Sequence, residues 1–195
     1  MSSRLVVNSV RHTGASADGI TLDSSGNVTF PANATCSGTA TGFGKFTSYA
    51  IIGDQKSSGT AGGALTSGDW RTHDLQTEFS DPDGIVSISS NQFTLQAGTY
   101  LITYRTIAYA VASSVAKIYN VTDSADLADS FSQSVYARNS SGHTIPAIGS
   151  VRFTISGAKT FELRQQGGTT HASAGFGVAS SFAVNNYAII EIFKE

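Results

Sequence analysis

The stretch Phe93-Thr94-Leu95-Gln96-Ala97-Gly98-Thr99-Tyr100-Leu101-Ile102-Thr103-Tyr104-Arg105-Thr106-Ile107-Ala108-Tyr109-Ala110-Val111 decides the fold. It opens with a short alternating piece, breaks at Ala97-Gly98, and continues as a long run of β-branched and aromatic residues. Such residues suit a pleated surface, and the Ala-Gly break is a turn signal. No spacing of three or four residues organises the apolar positions, so a helix is excluded here. The long run is unusual in being apolar on both faces. Tyr100, Ile102 and Tyr104 fall on one face, and Leu101, Ile107, Tyr109 and Val111 on the other.

The same period-2 pattern runs outward in both directions. Candidate strands are Phe46–Gly53, Trp70–Phe79, Gly84–Ser89, Gln92–Leu95, Thr99–Ala112, Val115–Val121, Leu127–Tyr136, Ile145–Ser156, Thr160–Gln165 and Asn185–Phe193. Turn signals separate them, among them Asp81-Pro82-Asp83-Gly84, Ser89-Ser90-Asn91 and Asn139-Ser140-Ser141-Gly142. Ten strands at roughly 8–12-residue spacing predict an all-β, antiparallel two-sheet sandwich or jelly roll over residues 45–195. Residues 1–44 differ. Three short β-like pieces, Leu5–Val7, Ile20–Leu22 and Val28–Phe30, are separated by small and polar residues, with Asp23–Asn27 as a hairpin turn. This segment holds too little apolar surface to offset an ordering cost of roughly 1–2 kcal/mol per residue. It is either disordered or ordered against other copies of the chain. Its regularly spaced apolar pairs favour the second, an extended β-rich neck.

The last strand repeats the two-faced pattern, with Tyr187, Ile189 and Phe193 alternating with Ala188, Ile190 and Ile192. A sandwich normally wets one face of each sheet. A crowded core or covering loop is one explanation; an interface between copies is the one adopted here. Tyr100, Ile102, Tyr104, Tyr187, Ile189 and Phe193 are therefore the expected interface residues, and a cyclic homotrimer would satisfy both the strands and the neck.

Composition removes several function classes. Ser (28), Thr (21), Gly (20) and Ala (23) make up nearly half of the 195 residues, and Lys+Arg (12) against Asp+Glu (14) leaves a net charge of −2. No basic footprint for nucleic acid is present. No apolar run approaches the roughly 18 residues that span a bilayer, and MSSRLVVNSVRHTG is not a secretory signal. The single cysteine, Cys36, excludes an internal disulfide. Neither a partner nucleic acid nor membrane insertion is expected.

Phe93-Thr-Leu-Gln-Ala-Gly98-Thr-Tyr100-Leu-Ile102-Thr-Tyr104 resembles the signature strand of the tumour-necrosis-factor-like jelly roll of the complement globular heads. Ile102 stands where that family usually has Phe, and one residue fewer separates Phe93 from Gly98. The closing AsnAsnTyrAlaIleIleGluIlePheLys resembles the family's last buried strand. The resemblance implies a ten-stranded, homotrimeric jelly roll with aromatic residues along the threefold axis. Leu5-Val-Val-Asn-Ser-Val and Gly19-Ile-Thr-Leu-Asp-Ser-Ser-Gly-Asn-Val-Thr-Phe-Pro resemble the shaft or neck of bacteriophage tail fibres, notably of cyanobacterial phages. Together they imply a virion tail-fibre protein: a neck over 1–44 that joins other tail or baseplate proteins, and a receptor-binding head over 45–195.

Catalytic and metal signatures are weak. His12, His73, His143 and His171 have no metal-ligand spacing, and His73 beside Asp74 reads as a surface pair. Asp81-Pro82-Asp83-Gly84 has alternate carboxylates that suit calcium, but lacks the remaining ligands and reads as a turn. Glu78 with Asp81, or Asp123 with Asp126, could supply paired carboxylates to a glycosidase, although no deep groove is foreseen. Catalytic residues, metal and cofactor are accordingly expected to be none. Strand parity gathers the loops around Ser113-Ser114, Arg138–His143 and Gly167–Ser181 at one end, and the resemblance implies that the neck enters at the other. Tyr136, Arg138, Asn139, His143, Thr169, Thr170 and His171 are the candidate receptor-binding residues at the loop end. Hydroxyls, amides and imidazoles beside an aromatic ring suit a host surface glycan. Trp70 reads as core or interface. The alternative is a structural or decoration protein of the virion with no receptor contact.

Overall fold

The computed structural model describes residues 7–10, 13–14, 16, 19–25, 27–30, 46–135 and 142–195. Two compact units divide the chain, Met1–Gly44 and Lys45–Glu195. In the first, β1 (Ser9–Val10), β2 (Ile20–Leu22) and β3 (Val28–Thr29) form a small antiparallel sheet in the order β1-β2-β3. The Asp23 carboxylate closes the β2–β3 turn: its Oδ1 accepts the Ser25 and Asn27 backbone N–H groups at 2.8 and 2.9 Å, and its Oδ2 accepts the Asn27 amide. Aspartate favours such turns because its short side chain reaches its own backbone. Val10, Val28 and Phe30 stay exposed on this unit. Of the expected first strand Leu5–Val7, Leu5 and Val6 lie outside the described residues, and Val7 precedes β1.

The second unit is all β. Its strands are β4 (Ser48–Lys56), β5 (Arg71–Thr72), β6 (Thr77–Ser80), β7 (Val86–Ser89), β8 (Gln92–Leu95), β9 (Gly98–Tyr109), β10 (Ser113–Asn120), β11 (Ala125–Asp126), β12 (Ser132–Val135), β13 (Thr144–Ile155), β14 (Lys159–Gly167) and β15 (Asn185–Lys194). One sheet runs β13-β9-β15-β4-β6; the other runs β11-β10-β14-β8-β7, with β12 pairing β10 and β5 pairing β14. Every pairing within these sheets is antiparallel, so the fold is an antiparallel jelly-roll sandwich. The expected strand Trp70–Phe79 is split into β5 and β6, which join different sheets. The residues between them turn inward to the core, where His73 and Leu75 are fully buried.

The inner faces of the two sheets meet around Ile52, Leu75, Phe93, Leu95, Tyr100, Ile102, Tyr104, Ile118, Phe161, Leu163, Ile190 and Ile192. This corrects half of the expected interface. Tyr100, Ile102 and Tyr104 are already buried by this chain's own second sheet. The phenols explain why they fit. Tyr100 Oη donates to the Gln96 carbonyl at 2.9 Å, and Tyr104 Oη donates to the Ala116 carbonyl at 3.0 Å and to that of Ser130. A buried tyrosine with a backbone acceptor carries no desolvation penalty for its hydroxyl. Gly149 lies opposite Tyr104 in the β9–β13 register, and a Cβ there would overlap the ring. Tyr187 is on the outer side of β15 yet is also buried. Gly62 and Gly177 let loops close over its ring, and its hydroxyl donates to the Thr60 carbonyl at 2.6 Å. Ile189 and Phe193 do remain on the open outer face.

Candidate functional site

Both ends of the sandwich are now defined by backbone hydrogen bonds. At one end Thr47 N–H donates to the Lys194 carbonyl at 2.7 Å, so β4 begins where β15 finishes. At the other, three connections converge, residues 57–70, 110–112 and 168–184, together with Gly142 and His143. Ala110 N–H donates to the His143 carbonyl (3.0 Å), Thr169 N–H to Val111 (2.9 Å), and His171 and Leu65 exchange a pair of bonds at 2.9 and 3.1 Å. A second apolar cluster of Leu65, Ala108, Val111, Ile145 and Phe176 underlies them. The 110–112 connection is tight enough to force Ala110 and Ala112 to φ values of 56° and 61°. Left-handed backbone is uncommon for alanine and marks a position that the surroundings impose.

The candidate receptor residues divide into three groups. Tyr136, Arg138 and Asn139 lie outside the described residues. His143 is exposed at this end and its backbone braces Ala110. Thr169, Thr170 and His171 are brought together, but their polar atoms are partly spent within the loops. Thr170 Oγ1 accepts the Ser67 N–H at 3.0 Å, and Thr169 Oγ1 reaches the Ala110 carbonyl at 3.5 Å. His171 Nδ1 accepts the Ala174 N–H at 3.1 Å, and its ring meets Tyr109 edge-on at 5.5 Å. An imidazole fixed in this way keeps only Nε2 for a ligand.

Among the described residues, the most exposed large apolar side chain was not expected from sequence. Phe182 is 97% exposed, with Val178 and Val184 open beside it on the same connection. Its loop is held firmly. Asn185, buried at the root, accepts the Ser180 N–H at 2.8 Å and donates to the Ser180 and Ser57 carbonyls at 3.2 and 3.3 Å. A Phe isolated between Ser181 and Ala183, outside any alternating run, was the available signal.

Elsewhere, three of the four carboxylates considered for catalysis already have partners, and Glu78 stands exposed on β6. Asp81 caps the Gly84 turn, accepting the Ile85 and Val86 N–H groups at 2.9 Å each. Asp123 pairs with Lys159, and Asp126 with Lys117 at 2.6 Å. Trp70 is half-buried outside the core, with the Lys117 ammonium 3.9 Å from its ring centre and Phe131 against its edge. His73 is the clearest correction. It is fully buried, not a surface residue paired with Asp74. Its Nε2 donates to Gln165 Oε1 at 2.7 Å, Gln165 in turn donates to Ser114 Oγ at 2.5 Å, and Nδ1 lies 3.4 Å from Asp54 Oδ2. This chain of polar groups ties β4 to β14 and β10 through the core. Asp54 Oδ1 has no hydrogen-bond donor; the Lys56 ammonium 3.3 Å away compensates its charge. Asp74 faces Lys56 instead, at 2.6 Å.

No protein-family model matches the chain, and no curated protein matches it. Solved structures do. The Eiger TNF of S. frugiperda superposes with a TM-score of 0.52 at 10% identity, covering 77% of this chain and 94% of that one. The globular domain of zebrafish complement 1qA covers 75% and 96% at 13% identity, with a TM-score of 0.45. Murine APRIL covers 76% and 98% at 9% identity, with a TM-score of 0.47. The first of these supports a tumour-necrosis-factor-like jelly roll. At such low identity the likeness concerns the fold alone.

Proposed function

We propose that the chain is a non-enzymatic, homotrimeric attachment protein of a bacteriophage tail fibre. Residues 1–44 are its neck and 45–195 a head that binds a host-surface glycan through the loops around His143 and Thr169–His171. One observation carries the assembly: the two outer sheet faces are unlike. The sheet containing β14 presents Thr94, Thr160, Arg164 and Gln166, and its aromatic residues Trp70, Tyr119 and Phe131 lie beneath the Lys117 and Arg164 cations. The five-stranded sheet presents Tyr49, Ile51, Leu101, Ile107, Ile148, Ile189 and Phe193. Ile148 is 70% exposed, and Phe46 packs on Phe193 at 5.3 Å without being buried. Large apolar side chains gathered on one sheet face, here in two groups separated by the hydrogen-bonded Thr103–Glu191 pair, mark an association surface. Threefold association is what the resemblance to complement globular heads implies, and it would give the thin neck its partners. The virion setting rests on the neck's resemblance to phage fibres.

Each tip in a trimer can bind weakly, since linkage multiplies avidity by roughly 10²–10⁴ without new contacts. Light scattering on the full chain should give three times 20.3 kDa. A stable single-chain mass at micromolar concentration would rule the assembly out. Labelled trimer should then adhere to particular bacterial strains and lose adhesion with Arg138→Ala. A capping protein without receptor contact is favoured by one finding, the internal use of the Thr169, Thr170 and His171 polar atoms. A trimer that adheres to no strain would establish that reading instead.

A further inference from the structure

We infer that Phe182 of one copy seats in a groove on the five-stranded sheet of the next, closing the ring head to tail. This rests on the self-association proposed above. The groove has a volume of about 320 Å³ and is lined by Ile107, Pro146, Ile148 and Ile189, with Arg105 and Asn186 at its edge. It has room for a benzyl group and the apolar walls to receive one. Phe182 does not occupy its own chain's groove, because its ring is almost wholly in solvent. The bonds through Asn185 hold the knob ready, so little conformational freedom is lost on docking.

Position along the strands selects the partner. A knob and a hole on different parts of one surface make a heterologous contact, which closes into a ring only when the rotation closes and otherwise grows into a filament. Closure requires the two features to stand at one height along the axis. Phe182 lies on the connection that feeds β15, and Asn186 and Tyr187, at the start of that strand, line the groove. Knob and hole are thus at the same end of the sandwich. Arg105 adds a chemical match. It is exposed, and it makes no ion pair among the described residues. Its guanidinium at the groove edge can stack on an incoming ring.

The test uses the full chain with Cys36→Ser, adding Phe182→Cys and Ile148→Cys together, and a short bifunctional thiol crosslinker. Both positions are largely exposed, so folding is preserved. Covalent trimers on denaturing gels are expected, and Phe182→Cys with Thr94→Cys, on the polar sheet, should give none. Trimers by light scattering without Phe182–Ile148 crosslinks would overturn the contact and leave the trimer standing. A single-chain mass for the unsubstituted chain would overturn both. As a second measurement, Phe182→Ser should raise the concentration at half assembly by at least about tenfold. Unchanged assembly with lost bacterial adhesion would make Phe182 a receptor contact and defeat the inference.

Discussion

His73 shows how a single side chain escapes a reading by neighbours in sequence. Asp74 follows it directly, yet its burial is decided by Gln165 and Asp54 on opposite sheets. No local signal reports such a partner. Replacing His73 with Ala would open a cavity and strand Gln165 and Asp54 without their partner. We expect a loss of roughly 2–4 kcal/mol, read as a lower thermal midpoint by calorimetry. Glu162 makes a pH-dependent contribution. Burial alone would raise its pKa, but hydrogen bonds from Arg164, Gln92 and Thr72 outweigh this and hold it below the ordinary 4.5. A carboxyl with a lowered folded pKa stabilises above its unfolded value and loses that contribution as pH falls through the folded one. Glu162→Gln should therefore lower the thermal midpoint at about pH 6 and show a smaller further drop toward about pH 3 than the parent.

At the scale of strands, the alternating pattern was legible almost everywhere. The runs expected at Gln92–Leu95 and Asn185–Phe193 became β8 and β15 nearly unchanged. The two-faced strands were recognised too, but which face looks inward was not. That choice depends on the hydroxyl acceptors at Gln96, Ala116 and Ser130, which only the assembled sandwich supplies. The remaining outer face makes its own prediction. Ile148→Asp or Phe193→Asp should dissociate the proposed trimer while circular dichroism and the monomer's unfolding cooperativity stay unchanged, because neither side chain belongs to the buried core. Tyr104→Phe should do the reverse, costing roughly 1–2 kcal/mol in folding and leaving assembly intact.

For the whole molecule, the contrast between a poor first segment and a well-filled second one was already visible in composition. Residues 7–30 include Val10, Val28 and Phe30 in an exposed setting, whereas the head has its own continuous core. Residues 45–195 made alone should unfold cooperatively, yet assemble only at higher concentration than the full chain, as sedimentation would show. What could not be read was the tip. Loops come together through bonds such as Ala110 to His143, whose partners are far apart in the chain and carry no periodic signal.

The ladder between β4 and β15 has a mechanical consequence. It runs from Ser48 opposite Lys194 to Lys56 opposite Asn185, along the direction joining residue 46 to the loops at the far end. A pull applied at residue 46 while the far loops are gripped loads all these rungs sideways at once. They cannot peel apart singly, so the sandwich should resist a pull along this direction better than its resting stability suggests.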